Sequence, residues 1–304
     1  MPPSQIEHAR QRRGELVLFI ITALWGTTFV ASQDVMDAWP PLLLVSLRFA
    51  LAAGVFTPVV VRRGVTGSTL RYGLTIGVFL GTGFALQTAS LAYTTVSRTA
   101  FGTSCVTVLV PVVSFLLLKQ RWRAGTWIAL LLAGSGIILM MGQSLDGGGG
   151  RLGDGMALAS AMVFAVQMTL LSQLAPRVEL IPLLFIQLVL TALLAGAASF
   201  LLGETWPAWR GAPWGTVVYL GVVATALCLL GQVFGQARTS ATRAAFIFAL
   251  EPIFASAFAW LTRQEALAPQ EWVGGALIVT AALVADRPLP AALVRTLRAR
   301  PGTS

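Results

Sequence analysis

One carboxylate lies inside a predominantly apolar run of the sequence that is long enough to cross a bilayer. Glu251 is near the middle of this run, 241–261, and Pro252 follows it at once. A charged group at the centre of a membrane costs about 2.5–3.5 kcal/mol on insertion scales, so the residue needs a partner or a task. Either it is a cavity acid that binds an amine or a proton, or it is protonated and donates to the carbonyl that the proline leaves without a donor. The sequence leaves both interpretations open.

The one cation away from the ends of a predicted span is Arg48, in "LRFALAA" at 47–53. An arginine at this depth could receive the carboxylate of a substrate. It could equally extend toward the membrane surface or pair with Asp34 or Asp37 at the end of the preceding span. Arg48 is therefore a candidate carboxylate partner with a structural alternative.

Aromatic and uncharged polar residues recur at helical spacing on several spans. Trp25, Thr28 and Ser32 are three and four residues apart, which puts them on one face of the first span. A face of this kind is poorly suited to lipid, so it either lines an internal cavity or makes hydrogen bonds between helices. The predicted set of cavity residues consists of Trp25, Thr28, Phe84, Gln87, Phe164, Gln167, Phe248 and Glu251.

The same inventory argues against other kinds of chemistry. The only histidine, His8, lies in the polar N-terminal segment, so the spans can hold no Ser–His dyad and no HExxH zinc site. We expect no enzyme activity, no metal site and no cofactor. The net charge of +9 comes from basic residues at the ends of apolar runs, a pattern that does not favour nucleic-acid binding.

Composition identifies the elements that must position these residues. The 304-residue chain is 56% hydrophobic and only 11% charged, whereas soluble domains carry about 25% charged residues. Ten apolar runs have the length of membrane-spanning helices. They are 16–36, 41–61, 70–92, 98–119, 124–142, 152–174, 179–202, 213–235, 241–261 and 269–286. The sequence therefore predicts an all-α integral membrane protein with ten transmembrane helices.

Positive charge predicts the orientation of these spans. With the N-terminus in the cytoplasm, sixteen of the 21 Lys and Arg residues fall on the cytoplasmic side, four on the outer side, and Arg48 within a span. We expect a multi-pass protein of a bacterial-type inner membrane with both termini cytoplasmic, including a tail at 1–14 and a basic tail at 287–304.

A glycine-rich linker at 143–151 separates two similar halves, 15–142 and 152–286. The segments "SRTAFGTSCVTVLVP" (97–111) and "RTSATRAAFIFALEP" (238–252) align without gaps and end on Pro111 and Pro252. Five spans is an odd number, so the second half enters the membrane from the opposite side, an inverted repeat typical of transporters. Each proline is either a static kink or one of a pair of hinges.

The chain resembles the ten-helix exporters of the drug/metabolite transporter superfamily, which have two EamA-type halves. The resemblance rests on "ALWGTTFVAS" (23–32), "LRFALAA" (47–53), the run 91–139 and the run 239–284. Within that superfamily the chain most resembles amino-acid exporters, including the aromatic amino acid type. The resemblance implies export of small metabolites.

We therefore predict a carrier of small organic metabolites, amino acids first among them, that works by alternating access around a midplane cavity. The alternatives are an exporter of drugs, nucleosides or other metabolites, a channel or membrane scaffold, and, last, an intramembrane enzyme. A small-molecule substrate and the lipid bilayer are the expected partners. The sequence does not fix the oligomeric state, and it is compatible with a monomer.

Overall fold

The computed structural model describes residues 5–36, 39–94, 96–119, 124–141, 150–205, 213–263 and 269–284, and every regular element in these ranges is helical. The predicted linker from 143 to 149 and the predicted tail at 287–304 lie outside them. The α-helices are α1 (Gln5–Met36), α2 (Pro41–Arg63), α3 (Gly67–Ser90), α4 (Val96–Ser104), α5 (Val106–Leu118), α6 (Ala124–Met141), α7 (Arg151–Leu174), α8 (Leu180–Leu201), α9 (Trp214–Val218), α10 (Cys228–Gln236), α11 (Ala241–Phe248), α12 (Glu251–Arg263) and α13 (Pro269–Val284).

These helices account for the ten predicted spans. Six helical stretches have both the length and the hydropathy of a membrane span, and shorter apolar helices cover Gly102–Leu118, Gly125–Leu139 and Trp272–Ala281. The remaining predicted span, 16–36, forms most of α1. Large apolar side chains such as Val61, Leu131 and Phe200 are exposed, as a surface that faces lipid requires. The prediction of an all-α membrane protein is confirmed.

Helix α1 begins earlier than the first predicted span. It starts at Gln5, within the segment predicted as a tail, and continues unbroken to Met36. Gln, Glu, Arg and Ala are good helix formers, and the Gln11 amide donates to the Glu15 carboxylate one turn further on, at 3.0 Å. Helical hydrogen bonding needs no membrane, so the hydrophobic pattern alone underestimates the length of this helix.

Two spans are broken in the middle, one in each half. The fourth span divides at Cys105 into α4 and α5, and Pro111 lies six residues further on, inside α5. The ninth span divides at Ala249 and Leu250, so that Pro252 is the second residue of α12. Proline is tolerated in the first turn of a helix because the N–H groups there have no partner within the helix. The two prolines therefore stand differently in their spans, although the segments align.

The eighth span contains a π-helical segment, Tyr219–Leu227, between α9 and α10. In a π-helix the backbone bond runs from one residue to the fifth before it, which gives a wider turn. Such segments are rare and occur frequently at functional sites.

Packing between the halves follows an approximate two-fold relation. Helix α2 packs against α8, and α6 against α13, so the second and fifth spans of one half meet their own counterparts in the other. Helix α3 packs against α7, and α10 against α1, so the third span of each half meets the first span of the other. This is the packing that an inverted repeat of five spans produces.

Glycines let α3 approach α8 closely. Gly73, Gly77 and Gly81 lie four residues apart on α3 and face α8. A Cβ at Gly77 would lie 3.1 Å from the Cα of Gln187, and one at Gly81 would lie 3.3 Å from the Cα of Thr191. The spacing predicts this small-residue face, and the structure confirms it.

Candidate functional site

A cavity of about 110 Å³ lies between the two halves, and we call it the central cavity. Its walls come from α1, α2 and α3, the broken fourth span, α7, α10 and the broken ninth span. The structure brings the eight predicted cavity residues together there, with Arg48 and Pro252, whereas Pro111 is not among the lining residues. The lining residues are Trp25, Thr28, Ser32, Arg48, Leu80, Phe84, Gln87, Thr88, Leu91, Ala100, Thr103, Ser104, Val106, Phe164, Gln167, Met168, Gln232, Phe248, Glu251 and Pro252.

Aromatic rings make three edge-to-face contacts at the wall. Phe84 packs edge-to-face against Phe49 at 4.9 Å and against Phe164 at 5.3 Å between ring centroids. Trp25 packs in the same way against Phe248 at 5.3 Å. The geometry is the one that ring quadrupoles favour, so the rings hold each other in fixed orientations. The wall offers apolar surface of defined shape to a bound molecule.

The position of the Phe164 ring depends on a glycine. A Cβ at Gly83 would lie 2.5 Å from the Cε1 atom of Phe164, closer than real Cβ atoms approach. Gly83 is buried on α3, one residue before Phe84. The absence of a side chain at this position gives the Phe164 ring its place against Phe84.

The Arg48 side chain contacts Thr225 and two aromatic rings, and it also lines the central cavity. Its side chain is buried, with the residue only 6% exposed, and its Nε donates to the Thr225 hydroxyl at 2.8 Å. The guanidinium carbon lies 5.7 Å from the Phe49 ring centroid and 5.3 Å from that of Phe84, within the range of cation–π attraction. Within the described part of the chain, the guanidinium makes no ion pair and its terminal nitrogens donate to no group. An arginine carries five N–H donors, so four remain available to the cavity.

Glu251 is the acid of the central cavity. It is the first residue of α12, directly after the break at Ala249 and Leu250. Within the described ranges its carboxyl oxygens accept no hydrogen bond, so they are available to a ligand. The repair of the proline kink by a protonated Glu251 stays a prediction.

Uncharged polar groups line the cavity near α4. Gln87 donates to the Thr103 hydroxyl at 3.4 Å, and Thr103 donates to the Thr99 carbonyl at 2.8 Å. The Ser160 hydroxyl lies 3.5 Å from that of Thr103. These groups are partly satisfied by one another, so they can exchange a partner for a ligand at little cost.

A chain of side-chain amides leaves the cavity between α7 and α10. Gln232 lies 3.5 Å from the Gln167 carbonyl oxygen and donates to Gln236 at 3.1 Å. Gln236 in turn lies 3.5 Å from the Met168 carbonyl. Gln187, by contrast, donates to the Leu183 carbonyl on its own helix, as a structural residue would.

Sequence reasoning missed several lining residues. Thr103 and Ser104 are adjacent polar residues in a predicted span, and this was the signal that could have identified them. Gln232 also lines the cavity, although its position in the sequence favours a structural role. Leu80, Leu91 and Met168 carry no sequence signal, because apolar residues occur on every face of a membrane helix.

Polar contacts close the bundle at the end where α1 begins. The Arg243 guanidinium pairs with the Glu15 carboxylate at 3.1 Å, and the Thr239 hydroxyl lies 3.4 Å from the same oxygen. Trp25 is ten residues further along α1, about 15 Å at 1.5 Å per residue. At the opposite end the Thr94 hydroxyl donates to Asp154 at 3.0 Å. The central cavity therefore lies between two polar contacts.

The described residues contain no group of three or more His, Cys, Asp or Glu side chains that could hold a metal ion. Cys105 and Cys228 are not joined by a disulfide. The chemistry available in the cavity is one guanidinium, one carboxyl group, amides and hydroxyls. These groups bind and orient a ligand.

Comparisons with known proteins agree with this architecture. The EamA-like transporter family matches the chain twice, at residues 12–142 and 151–285. An uncharacterized transporter from Archaeoglobus fulgidus is 27% identical over 285 residues, covering 91% of this chain and 87% of that protein. A crystal structure with 22% sequence identity matches with a TM-score of 0.74, covering 90% of this chain and 97% of that chain, which shows a common fold. The resemblance to EamA-type transporters is confirmed, and the resemblance to amino-acid exporters stays a prediction.

Proposed function

Because the chain belongs to the EamA-like transporter family, we propose that it exports amino acids with apolar or aromatic side chains by alternating access around the central cavity. It is a multi-pass membrane transporter of small molecules. The observation that carries the choice of substrate is that one aromatic cavity holds a guanidinium from the first half and a carboxyl group from the second.

Arg48 receives the carboxylate of the amino acid. A planar guanidinium can bind a carboxylate through two parallel hydrogen bonds, and these charge-assisted bonds are the strongest that side chains make. The buried position of Arg48 supports this role, and so do its terminal nitrogens, which donate to no group among the residues that the structure describes. The nearby rings of Phe49 and Phe84 exclude water, which strengthens the interaction.

Glu251 receives the ammonium group. Its carboxyl group faces the same cavity and has no protein partner in the described ranges. A ligand that pairs with both groups must carry both a carboxylate and an amine, as a free amino acid does. A substrate with only one of these charges would leave the other protein charge desolvated and unpaired, which is costly.

The aromatic wall selects the side chain of the substrate. Trp25, Phe84, Phe164 and Phe248 offer apolar faces and edges in the cavity that Arg48 and Glu251 also line. Burial of apolar area contributes about 25 cal/mol per Å², so a large apolar or aromatic side chain gains most from this surface.

Alternating access follows from the position of the two charged groups. Arg48 belongs to the first half and Glu251 to the second, so a bound zwitterion bridges the halves. The contact between Glu15 and Arg243 closes one end, and the contact between Thr94 and Asp154 closes the other. The breaks in the fourth and ninth spans, with Pro111 and Pro252, serve as the paired hinges.

We also propose a membrane location and a division of the chain into functional units. The protein lies in a bacterial-type inner membrane with both termini in the cytoplasm. Its functional units are the two five-helix halves, 15–142 and 152–286, joined by the linker at 143–151.

The proposal is tested with purified protein in liposomes and a panel of labelled amino acids, a nucleoside and a cationic drug. We expect saturable uptake of phenylalanine and leucine, accelerated by the same amino acid on the opposite side. This counterflow distinguishes a carrier from a channel. Uptake of the nucleoside or the drug in preference to every amino acid would overturn the choice of substrate.

Orientation has its own test. A tag at either terminus should report a cytoplasmic location, and cysteines placed at 146–150 should react with an impermeant maleimide from outside. Reaction of that segment only from the cytoplasm would overturn the orientation.

A further inference from the structure

The π-helical segment Tyr219–Leu227 holds two cavity residues from outside the cavity. Ala224 accepts a hydrogen bond from the Trp25 indole at 2.9 Å, and Thr225 accepts one from the Nε of Arg48 at 2.8 Å. Neither Ala224 nor Thr225 lines the cavity, and both are buried. Two adjacent residues of one unusual turn therefore fix side chains from two other helices.

The Thr225 hydroxyl has a fixed direction. It donates to the Leu220 carbonyl at 2.7 Å, five residues earlier, which is the reach of the π-helical turn. Its single hydrogen is used in this bond, so its lone pairs point away and can only accept. The Nε of Arg48 supplies the matching donor.

Helix α2 is held close to the π-helical segment at this level. A Cβ at Gly221 would lie 2.9 Å from the Cβ of Leu51 and 3.3 Å from the carbonyl oxygen of Arg48. The close approach fixes the separation of α2 from the π-helical segment at the level of Arg48. The hydrogen bond from Arg48 to Thr225 therefore depends on the packing of α2 against the eighth span.

We infer that Thr225 is a positioning residue for substrate recognition, and that it occupies the Nε of Arg48 so that the two terminal nitrogens face a substrate carboxylate together. This inference rests on the proposed role of Arg48. A guanidinium can bind a carboxylate through its two terminal nitrogens or through Nε and one of them. Because Thr225 occupies Nε, the mode that uses Nε is not available, and the substrate carboxylate binds in one orientation only.

The test compares Thr225→Val with Thr225→Ser in proteoliposomes, with L-phenylalanine as substrate and L-phenylalaninamide as competitor. Valine keeps the branched shape of threonine but cannot accept from Nε, whereas serine can. We expect Thr225→Val to raise the KM for phenylalanine about tenfold, with little change in maximal rate. Without its partner at Nε the guanidinium can turn, and it then makes one hydrogen bond to the substrate carboxylate in place of two. Inhibition by the amide, which has no carboxylate, should stay as in the parent protein. Thr225→Ser should restore the parental KM.

Thr22→Val is the matched control. Thr22 is buried and donates to the Leu18 carbonyl of its own helix, as Thr225 does to Leu220, but accepts from no arginine. Its replacement should leave the KM for phenylalanine unchanged. An equal rise in KM in both valine variants would assign the effect to packing and overturn the inference.

Arg48→Gln separates the inference from the proposed function. The first possible outcome is that Arg48→Gln raises the ratio of the KM for phenylalanine to the inhibition constant of the amide, whereas Thr225→Val leaves this ratio unchanged. In that case the positioning role of Thr225 is wrong and the role of Arg48 stands. If neither variant changes this ratio, or if the parent protein takes up no amino acid, the proposed function fails and the inference fails with it.

Discussion

The two halves have the same frame but bring different groups to the central cavity. In the register that aligns Pro111 with Pro252, Val110 corresponds to Glu251. Val110 is fully buried among apolar side chains, whereas Glu251 lines the cavity. The duplicated position is a packing residue in one half and the cavity acid in the other.

The second and seventh spans differ in the opposite sense. The same register aligns Pro41 with Pro182, and then Arg48 with Val189. Val189 packs against a hydrophobic cluster, whereas Arg48 is the cation of the cavity. Each half thus has an ionisable residue at a position where the other half has valine. A symmetric frame with an asymmetric pair of charges suits a small zwitterion, which also has two different ends.

The largest loss of uptake is expected when Arg48 is replaced by the residue that the second half has at the aligned position. Arg48→Val copies the residue of the second half into the first and should lower phenylalanine uptake by about a hundredfold, since it removes two charge-assisted hydrogen bonds of about 1.5–3 kcal/mol each. Initial uptake rates in proteoliposomes, corrected for the amount of inserted protein, measure the loss. Arg71→Val removes the same charge at an exposed position of α3 and serves as the control. Uptake by the Arg48 variant within twofold of that control would contradict the account.

Glu251→Val makes the corresponding change in the second half. We expect uptake of phenylalanine to fall about tenfold, the loss of one charge-assisted contact. The melting temperature in detergent should stay near that of the parent protein, because the carboxyl group has no described protein partner. Val110→Leu, at the aligned position, is the control and should transport normally. Normal uptake with a marked loss of stability in Glu251→Val would return this residue to a structural role.

Two glycines at corresponding interfaces should differ in their tolerance of a methyl group. A Cβ at Gly26 would lie 2.8 Å from the backbone nitrogen of Ala255 and 2.9 Å from the carbonyl carbon of Phe254. A Cβ at Gly102 would lie 2.7 Å from the Cβ of Ala157 but 3.6 Å or more from backbone atoms. Overpacking costs about 1–3 kcal/mol, so Gly26→Ala should lower the melting temperature more than Gly102→Ala. The reverse order would show that the contact of α1 with α12 is the more adaptable one.

The smallest effects are expected at the two ends of the bundle. Glu15→Gln removes an ion pair whose side chains are 22% and 30% exposed, and such pairs contribute at most about 1 kcal/mol. Stability should therefore hardly change, while a cysteine placed at Gln232 should react faster from the N-terminal side. Thr94→Val, at the opposite end, should leave that rate unchanged. Equal reaction rates of this cysteine in the two variants would show that the pair of Glu15 and Arg243 does not close this end of the cavity.

Periodicity explains why so much of the cavity was predictable. In a membrane helix with an apolar background, a polar or aromatic residue at helical spacing is conspicuous, and this identified Trp25, Thr28, Phe84 and Gln87. A single charge within a span is more conspicuous still, and this identified Arg48.

The breaks and the partners of these residues were not predictable in the same way. Nothing local in "YLGVVATAL" indicates a π-helix, because the segment is apolar and contains no proline. The bond from Arg48 to Thr225 joins residues far apart in the sequence, so it depends on how the second and eighth spans pack. The break at Cys105 precedes Pro111 by six residues, which shows that tertiary packing, rather than proline alone, sets where a span divides.

The central claim is that Arg48 and Glu251 recognise the two ends of one substrate. The most direct measurement is inhibition of labelled phenylalanine uptake by phenylalaninamide, which has no carboxylate, and by 3-phenylpropionate, which has no amine. We predict that the parent protein prefers phenylalanine to both, that Arg48→Gln loses only its preference over the amide, and that Glu251→Gln loses only its preference over phenylpropionate. Variants that transport phenylalanine with the parental ranking of both competitors would contradict the account.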